Sequence, residues 1–385
     1  MAKRLAALSI GFLLALALGE ILARLLLPPP ARVLVMADPG VGRRLAAERS
    51  EPRAVRAREE APPGGPFVLE TPTGLRLRAA TEVVIERHWI SERTVRLRTN
   101  SLGFRNPEIG TKSRPRVLFL GDSITLGEYL EEDETFVRLV ERRAAEEGAP
   151  LETINAGVNL IGLEEELAIL LETGLRTEPD VVVVDLYLND AFPSPGVRIV
   201  PLPPLLDASW FLRHVAAAAA RLGSDGSVGR DATLVRQNRE AWGREIAARF
   251  PAGGGDPTRD VAAFHGLVQR AVSDWGSAWA EGAWARMIPV LEELRRQSAL
   301  HGFALRIVVF PVRPQVEAAF VEDFPQQRLA RAAHDLDVPV LDLLPLLRRA
   351  HRAGGEPLFY DQCHPTPHAS RLVAGWLLDF LRAGR

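Results

Sequence analysis

The sequence predicts an α/β fold built on a parallel sheet, with a small β-rich region before it and a helical insertion inside it. From Pro115 onward, short apolar runs alternate with segments of helical character. The runs at 116–120 and 181–188 are almost continuously apolar, which is typical of strands that helices cover on both faces. Glycine or polar residues follow these runs, as expected where a strand ends in a loop.

We assign residues 111–385 to this α/β domain. The strands are expected at about 116–120, 151–154, 181–188, 305–312 and 338–343, and the helices at about 135–147, 163–171, 287–297, 326–335 and 368–382. At about 191–285 the alternation pauses, and a proline-rich loop leads into helical segments rich in Ala, Arg and Trp. Trp275, Trp279 and Trp284 recur near helical spacing, so we expect them to pack this insertion against the domain. Ligand stacking is the alternative.

Residues 28–110 are predicted to form a linker and a small β-rich region. Residues 31–66 are rich in Arg, Glu, Ala, Pro and Gly and have no sustained period, which indicates a linker or a loosely ordered stalk. From Thr73 to Arg98 apolar and charged residues alternate, which predicts half-exposed strands in a small antiparallel sheet.

Residues 1–27 are predicted to be a signal anchor or a signal peptide. Lys3 and Arg4 precede an apolar run that, to residue 27, would reach about 35 Å as a helix at roughly 1.5 Å per residue. The basic flank predicts a membrane-anchored protein whose remaining chain is extracytoplasmic, in the periplasm or at the cell surface. Cleavage at Ala15-Leu16-Ala17 would instead give a secreted protein. Glu20 and Arg24 are i,i+4 partners that can pair near the outer end.

The composition argues against nucleic-acid binding and leaves the compartment open. The 47 Lys and Arg against 49 Asp and Glu give a formal net charge of −2, and no basic stripe is visible. Cys363 is the single cysteine, so no intramolecular disulfide can form. That does not exclude export, because a chain of 385 residues can bury enough apolar surface without disulfides.

A candidate nucleophile lies in the turn Gly121-Asp122-Ser123-Ile124-Thr125, directly after the first strand of the domain. A serine at a strand-to-helix turn can present its hydroxyl to solvent, and the helix N-terminus stabilises nearby negative charge. Thr125 stands where the G-x-S-x-G nucleophile elbow needs glycine. A plain helix N-cap is the alternative for this turn.

Asp361 and His364, just before the last predicted helix, are the candidate proton relay. A serine hydroxyl is a poor nucleophile at neutral pH and needs a base within hydrogen-bond reach and a group that orients the base. His364 can be that base, and Asp361 can hold its imidazole in the required tautomer. Together with His368 the pair could suggest a metal site, but no further ligand set with metal spacing accompanies it.

Attack on an ester carbonyl also creates an oxyanion that needs hydrogen-bond donors. Gly157, in Asn155-Ala156-Gly157, can offer a backbone N–H, and Asn189 can offer its side-chain amide. A tight turn and a strand-ending cap are the respective alternatives. Gly157 and Asn189, like Ser123, follow predicted strands, and ligand sites of open α/β sheets form at the carboxyl ends of strands.

In this order, Ser123, Gly157, Asn189 and His364 resemble the four residue types of the SGNH (GDSL-like) hydrolases, in particular their membrane-anchored bacterial members. The similarity covers about 115–190 and 300–385, and it includes Asp361 in the last block. It implies a flavodoxin-like three-layer α/β/α sandwich with a parallel sheet. It also implies an oxyanion hole formed by the backbone N–H groups of Ser123 and Gly157 and the Asn189 amide. Tyr187 departs from the pattern, because the third block usually has glycine there.

These residues predict a serine esterase or acylhydrolase that forms an acyl-enzyme on Ser123. Its substrate would be a small molecule or an extracytoplasmic glycan or lipid ester, for example an O-acetylated glycan. One alternative is an O-acyltransferase that uses the same triad on an envelope polysaccharide, and another is a non-catalytic membrane-tethered binding module. The chemistry requires no cofactor and no metal. The expected partners are the substrate and, through the N-terminal helix, the membrane.

Overall fold

The computed structural model describes residues 2–27, 33–37, 68–71, 73–88, 90–192, 197–201, 208–223, 255–272 and 274–383. Most of the linker expected at 31–66 lies outside the described residues, apart from strand β1 (Val33–Ala37). Residues 224–254 of the expected insertion also lie outside them.

Two antiparallel hairpins precede the main domain. One pairs β2 (Val68–Thr71) with β3 (Gly74–Leu77), and the other pairs β4 (Glu82–Ile85) with β5 (Val95–Arg98). Side chains of β5 alternate between buried and exposed, as the sequence predicts. The prediction of a single small sheet is wrong. In the described residues each hairpin forms its own two-stranded sheet, and the two hairpins do not pair with each other.

The main domain contains a five-stranded sheet in which every neighbouring pair is parallel. Its strands are β6 (Arg116–Gly121), β7 (Glu152–Asn155), β8 (Val181–Tyr187), β10 (Ala304–Phe310) and β11 (Val340–Asp342). They lie in the order β11-β10-β8-β6-β7. Counted along the chain this is the order 2-1-3-4-5 of flavodoxin-like folds. The predicted α/β class and the flavodoxin-like parallel sheet are therefore confirmed.

Helices cover the sheet on both faces, which explains why every residue of β6 and every residue of β8 after Val181 is buried. The helices are α2 (Ser123–Leu126), α3 (Phe136–Glu146), α4 (Leu163–Glu172), α7 (Glu281–His301), α8 (Arg313–Glu317), α9 (Phe324–Asp335), α10 (Leu344–Ala353) and α11 (Pro367–Arg382). Helix α7 contacts both α4 and α9. With the right-handed crossovers that are the rule between parallel strands, these three helices cover one face and α3 covers the other. The last helix, α11, packs against α3 and completes the second layer.

The insertion begins with strand β9 (Val197–Pro201), which pairs antiparallel with β1. Its described helices are α5 (Trp210–Gly223) and α6 (Val261–Arg270), followed by a 3₁₀ turn at Trp275–Trp279. Trp275 and Trp284 are buried in the core that the insertion shares with the domain, as expected for packing residues. The sequence places the end of the insertion too late, because α7 already begins at Glu281.

The N-terminal helix α1 (Ala2–Leu26) packs against α5. As expected, Glu20 and Arg24 pair, with 2.6 Å between Oε1 and Nε. No helix within the described part of the chain is long and apolar enough to cross a membrane. The span expected over 1–27 has no support from these residues, and the side chains of residues 1–10 lie outside them.

Candidate active site

Ser123 occupies the first position of α2, at the carboxyl end of strand β6. Asp122 caps this helix, because its Oδ1 accepts a hydrogen bond from the backbone N–H of Ile124 at 2.9 Å. The Ser123 side chain remains half-exposed, while the rest of α2 is buried. The turn is therefore both a capped helix start and a platform that presents one hydroxyl.

The structure brings the three predicted triad residues together. The hydroxyl of Ser123 lies 2.9 Å from Nε2 of His364. Nδ1 of the same imidazole lies 2.7 Å from Oδ2 of Asp361. Ser123 and His364 are 241 positions apart in sequence, so the fold creates this contact. These are the distances that a nucleophile, a base and an orienting carboxylate require.

Local hydrogen bonds fix the Asp361 carboxylate in this geometry. Its Oδ1 accepts from the backbone N–H groups of Cys363 at 3.0 Å and His364 at 2.9 Å. Burial acts to raise the pKa of Asp361, but the neighbouring imidazole and these donors outweigh it and hold the pKa below its usual value. Asp361 therefore stays ionised, and its Oδ2 can accept a hydrogen bond from Nδ1–H of His364.

Pairing with Asp361 makes His364 a stronger base than a free histidine. Burial acts to lower the pKa of His364, but the charge and hydrogen bond of Asp361 outweigh it, with smaller contributions from Asp122 and Glu128. The net effect is a raised pKa. An imidazole with this shift is suited to accept the Ser123 proton and to return it to a leaving group.

Asn189 lies in a 3₁₀ turn, Leu188–Ala191, at the end of β8. Its Nδ2 donates to Oδ2 of Asp122 at 3.2 Å, so the residue before the nucleophile orients this amide. The amide nitrogen carries a second N–H that can serve an oxyanion. Among the described residues, Oδ1 of Asn189 has no hydrogen-bond partner.

Gly157 lies directly against α2, where a side chain would not fit. A Cβ at this position would be 2.3 Å from the backbone nitrogen of Leu126. Its own N–H donates to Oδ1 of Asn155 at 3.0 Å, and Nδ2 of Asn155 donates to the carbonyl of Thr125 at 2.7 Å. The predicted oxyanion role of Gly157 stays a prediction, because Asn155 occupies this N–H here.

Thr125, which departs from the nucleophile-elbow pattern, has a structural role. Its hydroxyl donates to Oδ2 of Asp185 at 2.8 Å, and both residues are buried. Burial raises the pKa of Asp185 well above its usual value. Tyr187, the position at which the sequence departs from the SGNH pattern, is also buried.

One group of three metal-ligating side chains exists among the described residues, and it consists of Asp361, Cys363 and His364. The carboxylate and the imidazole of this group already bond each other in the relay. His368, which the sequence suggests as a further ligand, lies on α11 outside this group. The relay therefore accounts for the D-x-x-H motif.

Sequence reasoning does not identify three side chains that surround the triad. Asp122 orients Asn189, Tyr129 packs against the His364 ring, and the buried Arg105 holds the loop that carries Tyr129. No local motif marks Tyr129, which stands between Glu128 and Leu130 in the sequence.

No family model matches this sequence, and no curated protein matches it. Among solved structures, the chain is similar to a catalytic variant of the acetylxylan esterase Axe2 from Geobacillus stearothermophilus, with 12% identity and a TM-score of 0.40 over 70% of this chain and 95% of that one. It is also similar to TesA, with 14% identity and a TM-score of 0.39 over 70% of this chain and 98% of that one. A third similar structure is a putative lipolytic protein of the G-D-S-L family from Desulfitobacterium hafniense, with 10% identity and a TM-score of 0.34 over 69% of this chain and 99% of that one.

Proposed function

We propose that this protein is a serine ester hydrolase that forms an acyl-enzyme on Ser123. The observation that carries the proposal is the continuous relay from the Ser123 hydroxyl through His364 to Asp361, with contacts of 2.9 and 2.7 Å. A half-exposed serine bonded to an imidazole of raised pKa is an activated nucleophile.

In the proposed reaction, Nε2 of His364 takes the Ser123 proton as the hydroxyl oxygen attacks the ester carbonyl. The developing oxyanion is bound by the Asn189 amide and by the backbone N–H of Ser123, which lies in the first turn of α2 and has no acceptor within the helix. Gly157 joins them once its N–H leaves Asn155. His364 then protonates the leaving alcohol, and water releases the acid by the same steps in reverse order.

The proposed substrate is a carboxylic ester outside the cytoplasm, either an O-acyl group on a glycan or a lipid ester. The support for this location is the N-terminal sequence, with its basic flank and apolar run. In the described part of α1, several large apolar side chains are exposed, among them Phe12, Leu14 and Leu25. We propose that this helix attaches the protein to a membrane, or is removed on export.

Acid release from p-nitrophenyl acetate tests the proposed activity. The full chain, purified in mild detergent, is compared with Ser123→Ala and with the matched control Ser101→Ala, which removes an exposed hydroxyl bonded to Glu108. We expect turnover to fall by about 10³-fold or more in Ser123→Ala and to persist in the control. Equal turnover by Ser123→Ala and the parent protein would exclude Ser123 as the nucleophile.

The O-acyltransferase alternative is favoured by one observation, the position of the insertion. Its 3₁₀ turn at Trp275–Trp279 packs against the turn that carries Asn189. In this alternative, the insertion would form the groove for the second substrate. In the assay above, added polysaccharide would then gain acyl groups at the expense of free acid. Unchanged acid release in the presence of polysaccharide would favour hydrolysis.

A further inference from the structure

The loop after α2 brings the buried ring of Tyr129 against the imidazole of His364. We define the Tyr129 loop as residues 127–130. The Tyr129 side chain is fully buried. Its ring meets the imidazole of His364 in a T-shaped pair, with 4.9 Å between ring centroids and 65° between the ring planes. Aromatic pairs prefer this geometry, so the contact restricts the plane in which the imidazole lies.

The contact uses the ring of Tyr129 and not its hydroxyl. Among the described residues, the Tyr129 hydroxyl has no hydrogen-bond partner. Burial raises the pKa of Tyr129 well above its usual value, so the phenol stays neutral. A phenylalanine at this position would preserve everything that touches His364.

Arg105 fixes the backbone of the Tyr129 loop through hydrogen bonds to its carbonyl oxygens. Its guanidinium is fully buried and donates to the carbonyl oxygens of Leu126 at 2.8 Å, Gly127 at 2.5 Å and Leu130 at 2.7 Å. These acceptors lie at the end of α2 and at both ends of the loop. The positions of Ser123 and Tyr129 are thereby tied to one rigid group.

The β4–β5 hairpin supports the loop from a second side. Nε2 of His88 lies 3.5 Å from Oε1 of Glu128, and both side chains are buried. The His88 ring also meets the Tyr129 ring edge-on, with 6.4 Å between centroids. The β-rich region before the domain therefore contacts the loop that touches the triad.

We propose that Tyr129 is a positioning residue, whose ring keeps Nε2 of His364 aligned on the Ser123 hydroxyl. Arg105 and the pair of His88 and Glu128 keep the ring in place, which gives the β-rich region a role in the proposed reaction. The inference rests on the proposed function, because it concerns the histidine that activates Ser123. Displacement of a reacting group by about 1 Å can lower a rate by about 100-fold.

The test is the reaction of the full chain, in mild detergent, with a fluorophosphonate. In this reaction an Oγ–P bond forms on Ser123, the P–F bond breaks, fluoride leaves and the hydroxyl proton passes to His364. The saturating rate constant, kinact, reports the alignment of the base, whereas KI reports binding of the probe. The variants are Tyr129→Leu, Tyr129→Phe and the control Phe264→Leu, which shortens a buried aromatic residue of the insertion. Tyr129→Met replaces Tyr129→Leu if the latter does not fold.

We expect Tyr129→Leu to lower kinact by 10- to 100-fold, with KI within about threefold of the parent. Tyr129→Phe should keep most of the parent kinact, and Phe264→Leu should keep all of it. The inference is overturned if Tyr129→Leu keeps its kinact, if Tyr129→Phe falls as far, or if Phe264→Leu falls equally. A parent protein that is not labelled at Ser123 defeats the proposed function itself, which separates the two failures.

Discussion

The side-chain amide of Asn189 donates to the carboxylate of Asp122 at 3.2 Å, although 67 positions separate them in sequence. Oδ1 of Asp122 meanwhile caps the helix that begins with Ser123. One carboxylate therefore connects Ser123, the proposed nucleophile, to Asn189, the proposed oxyanion donor. In the proposed reaction it would keep these two groups in register with the substrate carbonyl.

Substitution of Asp122 separates its two tasks. Asp122→Ser keeps an oxygen that can cap α2 but has no second oxygen for Asn189. We expect kcat for p-nitrophenyl acetate to fall by about 10²–10³-fold, the usual effect of losing one oxyanion donor. Asp122→Ala should lose the same activity and about 1 kcal/mol of stability from the missing cap. Equal kcat in Asp122→Ser and the parent would show that Asn189 needs no orienting partner.

Gly157→Ala should damage the site through the backbone. The added Cβ would be 2.3 Å from the backbone nitrogen of Leu126, so the strand-to-helix turn has to move. We expect a lower melting temperature and a loss of turnover of at least about tenfold. The control is Gly282→Ala, because no atom lies within 4 Å of the Cβ it would add on the surface of α7. Normal turnover by Gly157→Ala would mean that this turn tolerates displacement.

The pH dependence of fluorophosphonate labelling should report His364. Only the neutral imidazole can take the serine proton, so the rate should rise with pH through the pKa of His364. Because Asp361 raises that pKa, the midpoint should lie above the model-peptide value of 6.5. Asp361→Asn removes the negative charge, so the midpoint should fall and the plateau should drop by on the order of 10³–10⁴-fold. A midpoint that does not move in Asp361→Asn would contradict the assigned relay.

Glu20 should stabilise the start of α5. Its carboxylate accepts from Ser209 Oγ and from the backbone N–H groups of Trp210 and Phe211. Nε of Arg24 donates to Oε1 of the same carboxylate at 2.6 Å. Glu20→Gln should speed amide hydrogen exchange at Trp210 and Phe211 and leave α7 unchanged. Glu146→Gln, on an exposed face of α3, is the control. Unchanged exchange in Glu20→Gln would show that α1 does not hold α5.

The sequence was sufficient to place Ser123, Asp361 and His364, because each stands in a short motif beside a regular element. The parallel sheet was equally accessible, since its buried strands are almost continuously apolar and its helices keep a clear period. Helix α10 was missed because Pro345 follows the last strand closely and conceals a helix start, although proline is favoured in the first turn.

Other features depend on contacts that have no local signature. Whether the N–H of Gly157 is available depends on the side-chain conformation of Asn155, which no motif records. The packing of Tyr129 on His364 depends on where Arg105 fixes a loop, and the sequence of that loop contains no motif that points to the triad. The sequence predicts one small sheet where the structure has two separate hairpins, because alternation predicts strands but does not choose their partners.

The most direct test of the central claim is mass-spectrometric location of the fluorophosphonate adduct on the full chain. We expect one adduct, on the peptide that contains Ser123. It should be absent from Ser123→Ala, and its rate of formation should fall by at least about 10³-fold in His364→Ala. Folding of each variant is checked by its melting temperature. An adduct on another residue, or labelling of Ser123 that does not depend on His364, would contradict the assignment of an activated serine at this site.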